Sequence, residues 1–445
     1  MSKELLAGWG RTAPARAERR SPTSVEDVQA AFAEKRPVIG RGLGRSYGDP
    51  AQVSGGLVLD NRSLSEVHHF DAATGVITAG AGLSLDDLLR ITMPKGWFVP
   101  VTPGTRQVTL AGAVAADVHG KNHHVDGSFG QHVLCLTLVT PSGVYEITPS
   151  SDPELFWATV GGMGLTGFIT HVTVQLIPIE TDKVLVDTRR VNSLDEVMRE
   201  LKESDATHRY SVAWVDCMTT GRHMGRGIIT RGEHARVSDL DSPSLEGPSK
   251  AKLTIPFDAP SGLLNPLSIK IFNEAWFRVA PVHKDRQVQS IPTFFHPLDG
   301  INDWNRLYGR RGFVQYQFAV PDSAGEMVVK AIDQLSASKV PSFLAVLKRF
   351  GPGSPGHLSF PMAGWTLALD LPVGPAALPR VLDELDELVL SAGGRLYFAK
   401  DARLDGRHLR AMYPRVDEFL SVKARVDPEN LLTSDLARRL DLIRK

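Results

Sequence analysis

Cysteine is scarce: only Cys135 and Cys217 occur in 445 residues. Two thiols cannot build a disulfide framework or a thiolate zinc site. Both fall in apolar, strand-like runs, so buried reduced thiols are expected. An excess charge of either sign is also lacking. Fifty lysines and arginines meet fifty aspartates and glutamates, which leaves no global field to draw the chain to nucleic acid. A local basic pocket for an anion is compatible with that balance. Long apolar runs are absent too, and nothing approaches the roughly 18 residues that a membrane span needs. Residues 1–20 are polar and basic around a single tryptophan, Trp9. They lack the apolar core of a secretory leader and read as an arm outside the core. A cytoplasmic protein is expected, with peripheral contact at a membrane face left open. At this length one core rarely suffices, so two domains are expected.

What is present concentrates between Gly104 and Gly130. The first half is dominated by small residues, over which backbone can approach a bulky partner closely. The second half places His119, Lys121, Asn122, His123 and His124 within six positions. A metal site, a phosphate cradle and a cofactor seat are the candidates. Gly120 and Lys121 break a helical His-x-x-x-His pattern and no glutamate stands between the histidines, so no metal is expected.

A second glycine-rich loop, Gly40–Asp49, runs directly out of the strand Pro37–Ile39, and no helical pattern follows it. Rossmann and Walker loops need that helix or a Gly-Lys-Ser/Thr sequence, so both are disfavoured. What remains is a loop of exposed amides with two arginines, suited to a diphosphate; an ordinary turn is the alternative. A third cluster, Gly161–Gly167, also lies between strands. A dinucleotide seat accounts for these loops and the small-residue run together.

Helices are expected from Ser24, Ser84 and Ser193, each with an acidic residue at capping-box spacing. Val133–Thr140 and Val144–Ile147 read as a hairpin. From Gln315 the order is strand, helix, two strands, helix, strand: Gln315–Val320, Ser323–Ala337, Phe343–Lys348, Trp365–Leu371, Ala376–Leu390 and Arg395–Ala399. That is the split β-α-β-β-α-β pattern, whose sheet has one face free for a ligand. Leu253–Phe277 is too broken by proline and glycine for a regular helix and too apolar for an ordinary loop. Irregular core and a mobile or lipid-contacting lid both fit. No internal repeat stands out.

The loop Arg41–Asp49, the turn Pro103-Gly104-Thr105, the cluster Gly161–Gly167 and the tail Asp427-Pro428-Glu429-Asn430 resemble the vanillyl-alcohol oxidase class of flavoproteins. Within that class, Gly8–Pro14, Arg41–Asp49, His119–His124, Gln315–Phe318, Ala399–Asp401 and Met412–Asp417 are similar to the polyprenylphosphoryl-ribose 2′-oxidase family of actinobacteria, and the likeness spans essentially the whole chain. The resemblance implies an α+β, two-domain flavoprotein. Its FAD-binding α+β domain (PCMH-type) covers residues 1–180 and is rejoined by residues 399–445. Its substrate domain, an antiparallel sheet flanked by helices, covers 181–398. It implies oxidation of the ribose 2′-hydroxyl of a polyprenyl phosphate to a 2′-keto intermediate, the first step toward the arabinose donor for cell-wall biosynthesis. A nicotinamide-dependent reductase would complete the epimerisation.

Carried over by motif, FAD contacts are implied at Gly40, Arg41, Gly42, Leu43, Gly44, Arg45, Ser46, Tyr47, Gly48, Asp49, Pro50, Gly104, Thr109, Leu110, Ala111, Gly112, His119, Gly120, Lys121, Asn122, Ile169 and Tyr397. The substrate pocket is implied at His119, Lys121, Trp214, Gln315, Gln317, Lys348, Phe350, Ala368 and Lys400, with Lys400, His119, Lys348 and Gln317 as the catalytic set. Lys400 is expected to end an apolar strand and to position flavin or substrate in preference to acting as base. Lys348 reads as a phosphate or hydroxyl contact, or as a solvated strand end. His119 borders the ring or is a structural histidine. Tyr47 stacks near the flavin or simply packs.

Several members of the class attach flavin through a histidine at the place held here by Arg45, so FAD is expected to be non-covalent. Mycobacterial members carry a cysteine in the strand Trp365–Asp370 to which covalent nitroaromatic inhibitors attach. Alignment puts Ala368 there, and without a thiol no adduct forms. Thr366 and Phe295 replace an asparagine and a tyrosine common in those proteins. Two rival readings stand beside this one: an FAD oxidase of a soluble alditol or lactone, and a non-catalytic flavin-binding partner.

Overall fold

The computed structural model describes residues 3–260 and 262–443. Lys3–Leu6, Ala15–Arg20, Leu57–Asp60 and Val38–Arg41 form one four-stranded sheet, in that order. Leu57–Asp60 is parallel to both neighbours and buried along its whole length, as an apolar run without alternation requires. The expected N-terminal arm is therefore two strands of sheet. Its charges alternate with alanines, so Ala15 and Ala17 turn inward while Arg16 stays exposed. A second sheet, entirely antiparallel, orders Val67–Asp71, Val76–Gly80, Phe168–Gln175, Val133–Thr140 and Gly143–Ile147, and its last two strands are the expected hairpin. Helices Val25–Ala33 and Leu85–Thr92 begin at Ser24 and Ser84, whose hydroxyls accept the Asp27 and Asp87 amides; each such cap contributes about 1 kcal/mol.

The third sheet has eight strands. In chain order its elements are β1 (Lys183–Val191), α1 (Leu194–Ser204), β2 (Tyr210–Val215), β3 (Gly227–His234), α2 (Pro266–Val279), β4 (His283–Ser290), β5 (Phe313–Pro321), α3 (Glu326–Ser338), β6 (Ala345–Phe350), β7 (Gly364–Pro372), α4 (Leu378–Ser391) and β8 (Arg395–Leu396). Its spatial order is β4-β1-β3-β2-β6-β7-β5-β8, antiparallel throughout. The second half is the split unit expected from the sequence. The first half has the same order, and the two units meet back to back at β2 and β6. A topological repeat is thus present where none was expected. It is hidden in sequence because α2, the counterpart of α4, follows a long irregular segment and packs differently.

In the second unit, α3 and α4 bury Ile332, Leu335, Val381 and Leu385 in one core with Trp365, Leu367, Leu369 and Leu371 of β7. Alternation along β7 turns Thr366, Ala368 and Asp370 to the opposite face. That polar face belongs to the candidate site.

The tail returns to the first sheet: Val38 donates to the Leu431 carbonyl at 2.8 Å, and Thr433 donates back to Val38 at 3.0 Å. The Asp427 carboxylate accepts the Leu431 and Leu432 amides, both at 2.9 Å, and pairs with the buried Lys423 ammonium. The Asp-Pro-Glu-Asn motif is therefore a clamp that fixes the chain end.

Candidate active site

Strand register assembles the pocket wall. Gln315 lies opposite Asp370, and Gln317 opposite Ala368; Val346 is opposite Ala368 and Lys348 opposite Thr366; Trp214 is opposite Val346. Residues from four strands thus share one face, although more than 150 positions separate Trp214 from Asp370. His119 meets this face from the first half of the chain, its ring 4.8 Å from Phe350 and 5.2 Å from Tyr397.

A hydrogen-bond chain fixes the state of His119. The Thr366 hydroxyl donates to the Phe318 carbonyl at 2.9 Å, so its oxygen accepts from Gln317 Nε2 at 3.2 Å. Gln317 Nε2 also lies 3.0 Å from His119 Nε2. The amide donates to both, so His119 Nε2 is the acceptor and Nδ1 carries the proton. Burial, with Lys348, His123 and Lys400 nearby, pushes the His119 pKa well down, and the ring is neutral. Its Nδ1–H is buried and without a partner among the described residues. Buried donors are almost always satisfied, which makes this one a candidate ligand contact.

Lys348 and Lys400 lie close enough to His119 to lower its pKa, and Lys121 lies near Lys348. Lys121 Nζ donates to the Phe294 carbonyl and sits 4.0 Å over the Phe294 ring; burial and Lys348 bring its pKa down to about 7. Lys348 makes no hydrogen bond or ion pair among the described residues, and burial brings it to about 8. Lys400 Nζ lies 3.9 Å over the Tyr47 ring. Its pKa is lowered by burial and by Lys348 and held up by Asp370. Lysines gathered with no carboxylate hydrogen-bonded to them make this a candidate anion site.

Asp370 was not singled out in the sequence as a functional residue. It is fully buried, accepts from Gln315 Nε2, and accepts from the Tyr308 hydroxyl at 3.4 Å. Burial raises its pKa, opposed by Gln315 and Lys400. Nothing local distinguishes it; only the strand order reveals its neighbours. Lys400 does not end a strand as expected. β8 stops at Leu396, and Lys400 lies in a turn closed by its amide to the Tyr397 carbonyl at 2.9 Å.

A loop of unpaired backbone amides lies beside this pocket. The backbone N–H groups of Gly42, Leu43, Gly44, Arg45 and Ser46 have no acceptor among the described residues, and the loop is half-exposed. Gly44 sits at φ +64°, the left-handed conformation that glycine adopts freely. A Cβ on Gly42 would overlap Thr109, and one on Gly48 would overlap the Asp401 carbonyl, so the loop bridges the small-residue segment and Lys400. Thr109 caps the helix Leu110–Ala115, accepting the Gly112 amide at 3.2 Å, while Ala111 and Gly112 stay half-exposed beside the loop's partner. A Cβ on Gly104 would meet open space. Free amides, small residues and an unpartnered buried Arg45 Nε fit a pyrophosphate-bearing cofactor.

Other expected contacts are engaged within the protein. Arg41 donates to the Ala7 and Ala51 carbonyls, Asp49 is bound by Arg439 at 2.7 Å, and Asn122 Nδ2 donates to the Pro100 carbonyl at 2.8 Å. Tyr397 donates to the Ala116 carbonyl at 2.8 Å, and Trp214 to the Phe343 carbonyl at 3.3 Å. Gly120 and Ile169 are buried, as is Pro50. Arg45 stacks 3.8 Å over Trp9. The cluster Gly161–Gly167 offers few free amides: Gly161 and Met163 donate to the carbonyls of Val114 and Ala115, bracing the small-residue helix. Gly44–Gly48 also has Gly-x-Ser-x-Gly spacing, but turns follow it in place of the helix a nucleophile elbow needs.

Comparison with known proteins agrees with this geometry. Residues 19–148 match the FAD binding domain family, and residues 376–440 match the D-arabinono-1,4-lactone oxidase family. The chain is 44% identical over 450 aligned positions to the decaprenylphosphoryl-beta-D-ribose oxidase of Mycolicibacterium smegmatis, covering 98% of this chain and 97% of that one. An uncharacterized Streptomyces coelicolor protein from the mprA 5′ region is 38% identical, covering 81% of this chain and 100% of that protein. The L-gulono-1,4-lactone dehydrogenase of Mycobacterium tuberculosis is 23% identical over 94% of both chains. The cofactor is FAD, the fold is the α+β fold of the vanillyl-alcohol oxidase class, and the chain belongs to the decaprenylphosphoryl-β-D-ribose oxidase family of FAD-dependent oxidoreductases.

Proposed function

We propose that the enzyme oxidises the 2′-hydroxyl of a polyprenylphosphoryl-β-D-ribose to the 2′-ketone, and that a separate nicotinamide-dependent reductase consumes the product. The observation that carries this reading is the group of buried lysines beside His119 and its unpartnered Nδ1–H, with Lys348 and Lys400 near the ring and Lys121 near Lys348. A neutral lactone or alditol gives three ammonium groups nothing to neutralise, whereas a phosphodiester-linked sugar does.

Residues 1–180 with 399–445 form the FAD unit in this proposal, and residues 181–398 the substrate unit. FAD, bound without a covalent link at Gly40–Pro50, Gly104 and Thr109–Gly112, supplies the acceptor for the hydride leaving C2′. The chain does the rest. Lys348 neutralises phosphate charge or holds a sugar hydroxyl. Its pKa near 8 leaves it mostly charged at neutral pH for that role, and the departing hydroxyl proton is released to buffer. Gln317 fixes the His119 tautomer so that Nδ1–H donates to an oxygen of sugar or cofactor. Lys400, whose burial lowers its pKa while Asp370 partly restores the charge, positions substrate and cofactor. Trp214 and Phe350 wall the pocket and exclude water.

Trapping the product tests the reaction. Borodeuteride reduction after turnover of farnesylphosphoryl-ribose should place deuterium at C2′ in both ribo and arabino epimers. Deuterium-free ribose alone would refute it. Acid precipitation should release all flavin to the supernatant; yellow colour left on the pellet would show a covalent bond.

A further inference from the structure

Ten of the fifteen large apolar side chains that stand exposed among the described residues lie between Leu253 and Val288. Apolar surface concentrated in this way marks an interaction site. The expectation of a broken segment is wrong for its second part. Asn265 caps a regular 14-residue helix, α2, with Pro266 at its first turn. The helix carries two apolar stripes. Ile269 and Phe277, with Asn273 between them, are buried against the protein. On the opposite side, Leu267, Ile271, Ala275 and Val279 recur every fourth residue, and Leu267, Ile271 and Val279 are 68%, 62% and 82% exposed. Its counterpart in the second unit, α4, buries Val381, Leu382, Leu385 and Val389. Instead of lying on the sheet, α2 lies across its end: Asn273 Nδ2 donates to Asp216 at 2.9 Å, and Arg190 donates to the carbonyls of Phe277, Arg278 and Ala280.

Charge says what covers the outer stripe. Residues 250–290 hold six lysines and arginines against three carboxylates, in a chain whose net charge is zero. Of those carboxylates, Asp258 pairs with Arg11, and Glu274 pairs with Arg226 and Arg278. Beside the stripe, Phe272 begins a line of rings that runs to the lysine pocket. Phe272 meets Phe343 at 5.4 Å, Phe343 meets Tyr308 at 6.1 Å, Tyr308 stacks on Phe313 at 4.0 Å, and Phe313 meets Tyr47 at 5.4 Å, beneath Lys400. No helix among the described residues is long and apolar enough to cross a membrane.

We propose that α2 is an interfacial helix that seats the enzyme on an anionic lipid bilayer, its outer stripe in the acyl boundary and its lysines and arginines at the headgroups. This rests on the lipid-linked substrate proposed above. The ring line then joins the membrane-facing helix to the pocket as one apolar wall, against which a prenyl chain packs.

The test is co-sedimentation of the FAD-loaded full chain with phosphatidylcholine vesicles, with and without phosphatidylglycerol. Binding is expected to both and tighter with phosphatidylglycerol. The double variant Leu267→Glu/Ile271→Glu should bind at least about tenfold more weakly while keeping its flavin content and its turnover of a short-prenyl substrate in solution. Leu134→Glu, an exposed site elsewhere, should bind as the parent does. Binding to neither vesicle, or undiminished binding by the double variant, would overturn the proposal. So would a dimer in analytical ultracentrifugation that the double variant dissolves, since a second copy would then cover the stripe. Because vesicle binding is read without turnover, its failure alone leaves the proposed reaction standing.

Discussion

Gln317 reaches across 198 positions of sequence to His119, and the 3.0 Å approach of their nitrogens decides which imidazole nitrogen carries the proton. This one contact joins the FAD-binding segment to the polar face of the eight-stranded sheet.

Gln317→Leu would leave His119 Nε2 buried and unpaired, at about 1–3 kcal/mol, and free the ring to turn. A fall in kcat/KM of about 100-fold is expected, since small misplacements near reacting atoms cost on that order. Gln317→Glu should draw the proton to Nε2, visible as a tautomer change in ring 15N shifts, with kcat falling more than KM rises. Unchanged kcat/KM in Gln317→Leu would remove His119 from the account.

Lys348 sets an alkaline limb. Its ammonium is lowered to about 8 by burial, so the free enzyme loses this positive charge as pH rises through that value. kcat/KM for a phosphorylated substrate should fall above about pH 8, and Lys348→Arg should flatten the limb. The stability effect has the opposite direction. Between about 8 and the ordinary lysine value of 10.5 the unfolded chain binds more protons, so this group's contribution to folding grows with pH in that window.

Asp370 acts through Lys400. Its charge raises the Lys400 pKa, so Asp370→Asn should move loss of the Lys400 charge to lower pH. A kcat deficit of about tenfold near pH 8, largely recovered on acidification, is the expected profile. An equal loss at every pH would indicate a packing role only.

Ala368 is half-buried on the pocket face beside Gln317 and Val346. Turnover with a nitroaromatic inhibitor should leave the intact mass unchanged, while Ala368→Cys should gain the adduct and keep most of its activity. An adduct on the parent chain would show another reactive group in the pocket.

Much of this was legible in sequence because periodicity carries it. The strands and helices from Phe313 onward alternate cleanly, and the small-residue run ending at His119 announces a close approach. The N-terminal strands were obscured because their inward residues are alanines, too small to register as an apolar period. The run Arg395–Ala399 reads as one strand, yet only Arg395 and Leu396 pair with β5. The next residue, Tyr397, turns its hydroxyl to the Ala116 carbonyl. Asp370 was unreadable as a site residue since its partners Tyr308, Gln315 and Lys400 come from three separate segments. For α2, Pro256, Pro260 and Gly262 precede the cap, and the helix itself is unbroken.

The most direct test is anaerobic mixing of the FAD-loaded enzyme with farnesylphosphoryl-β-D-ribose while the yellow flavin absorbance is followed. Stoichiometric bleaching by the phosphorylated ribose, with free alditols and lactones silent, is the expected result. Bleaching by a lactone or alditol but not by the polyprenylphosphoryl sugar would contradict the account.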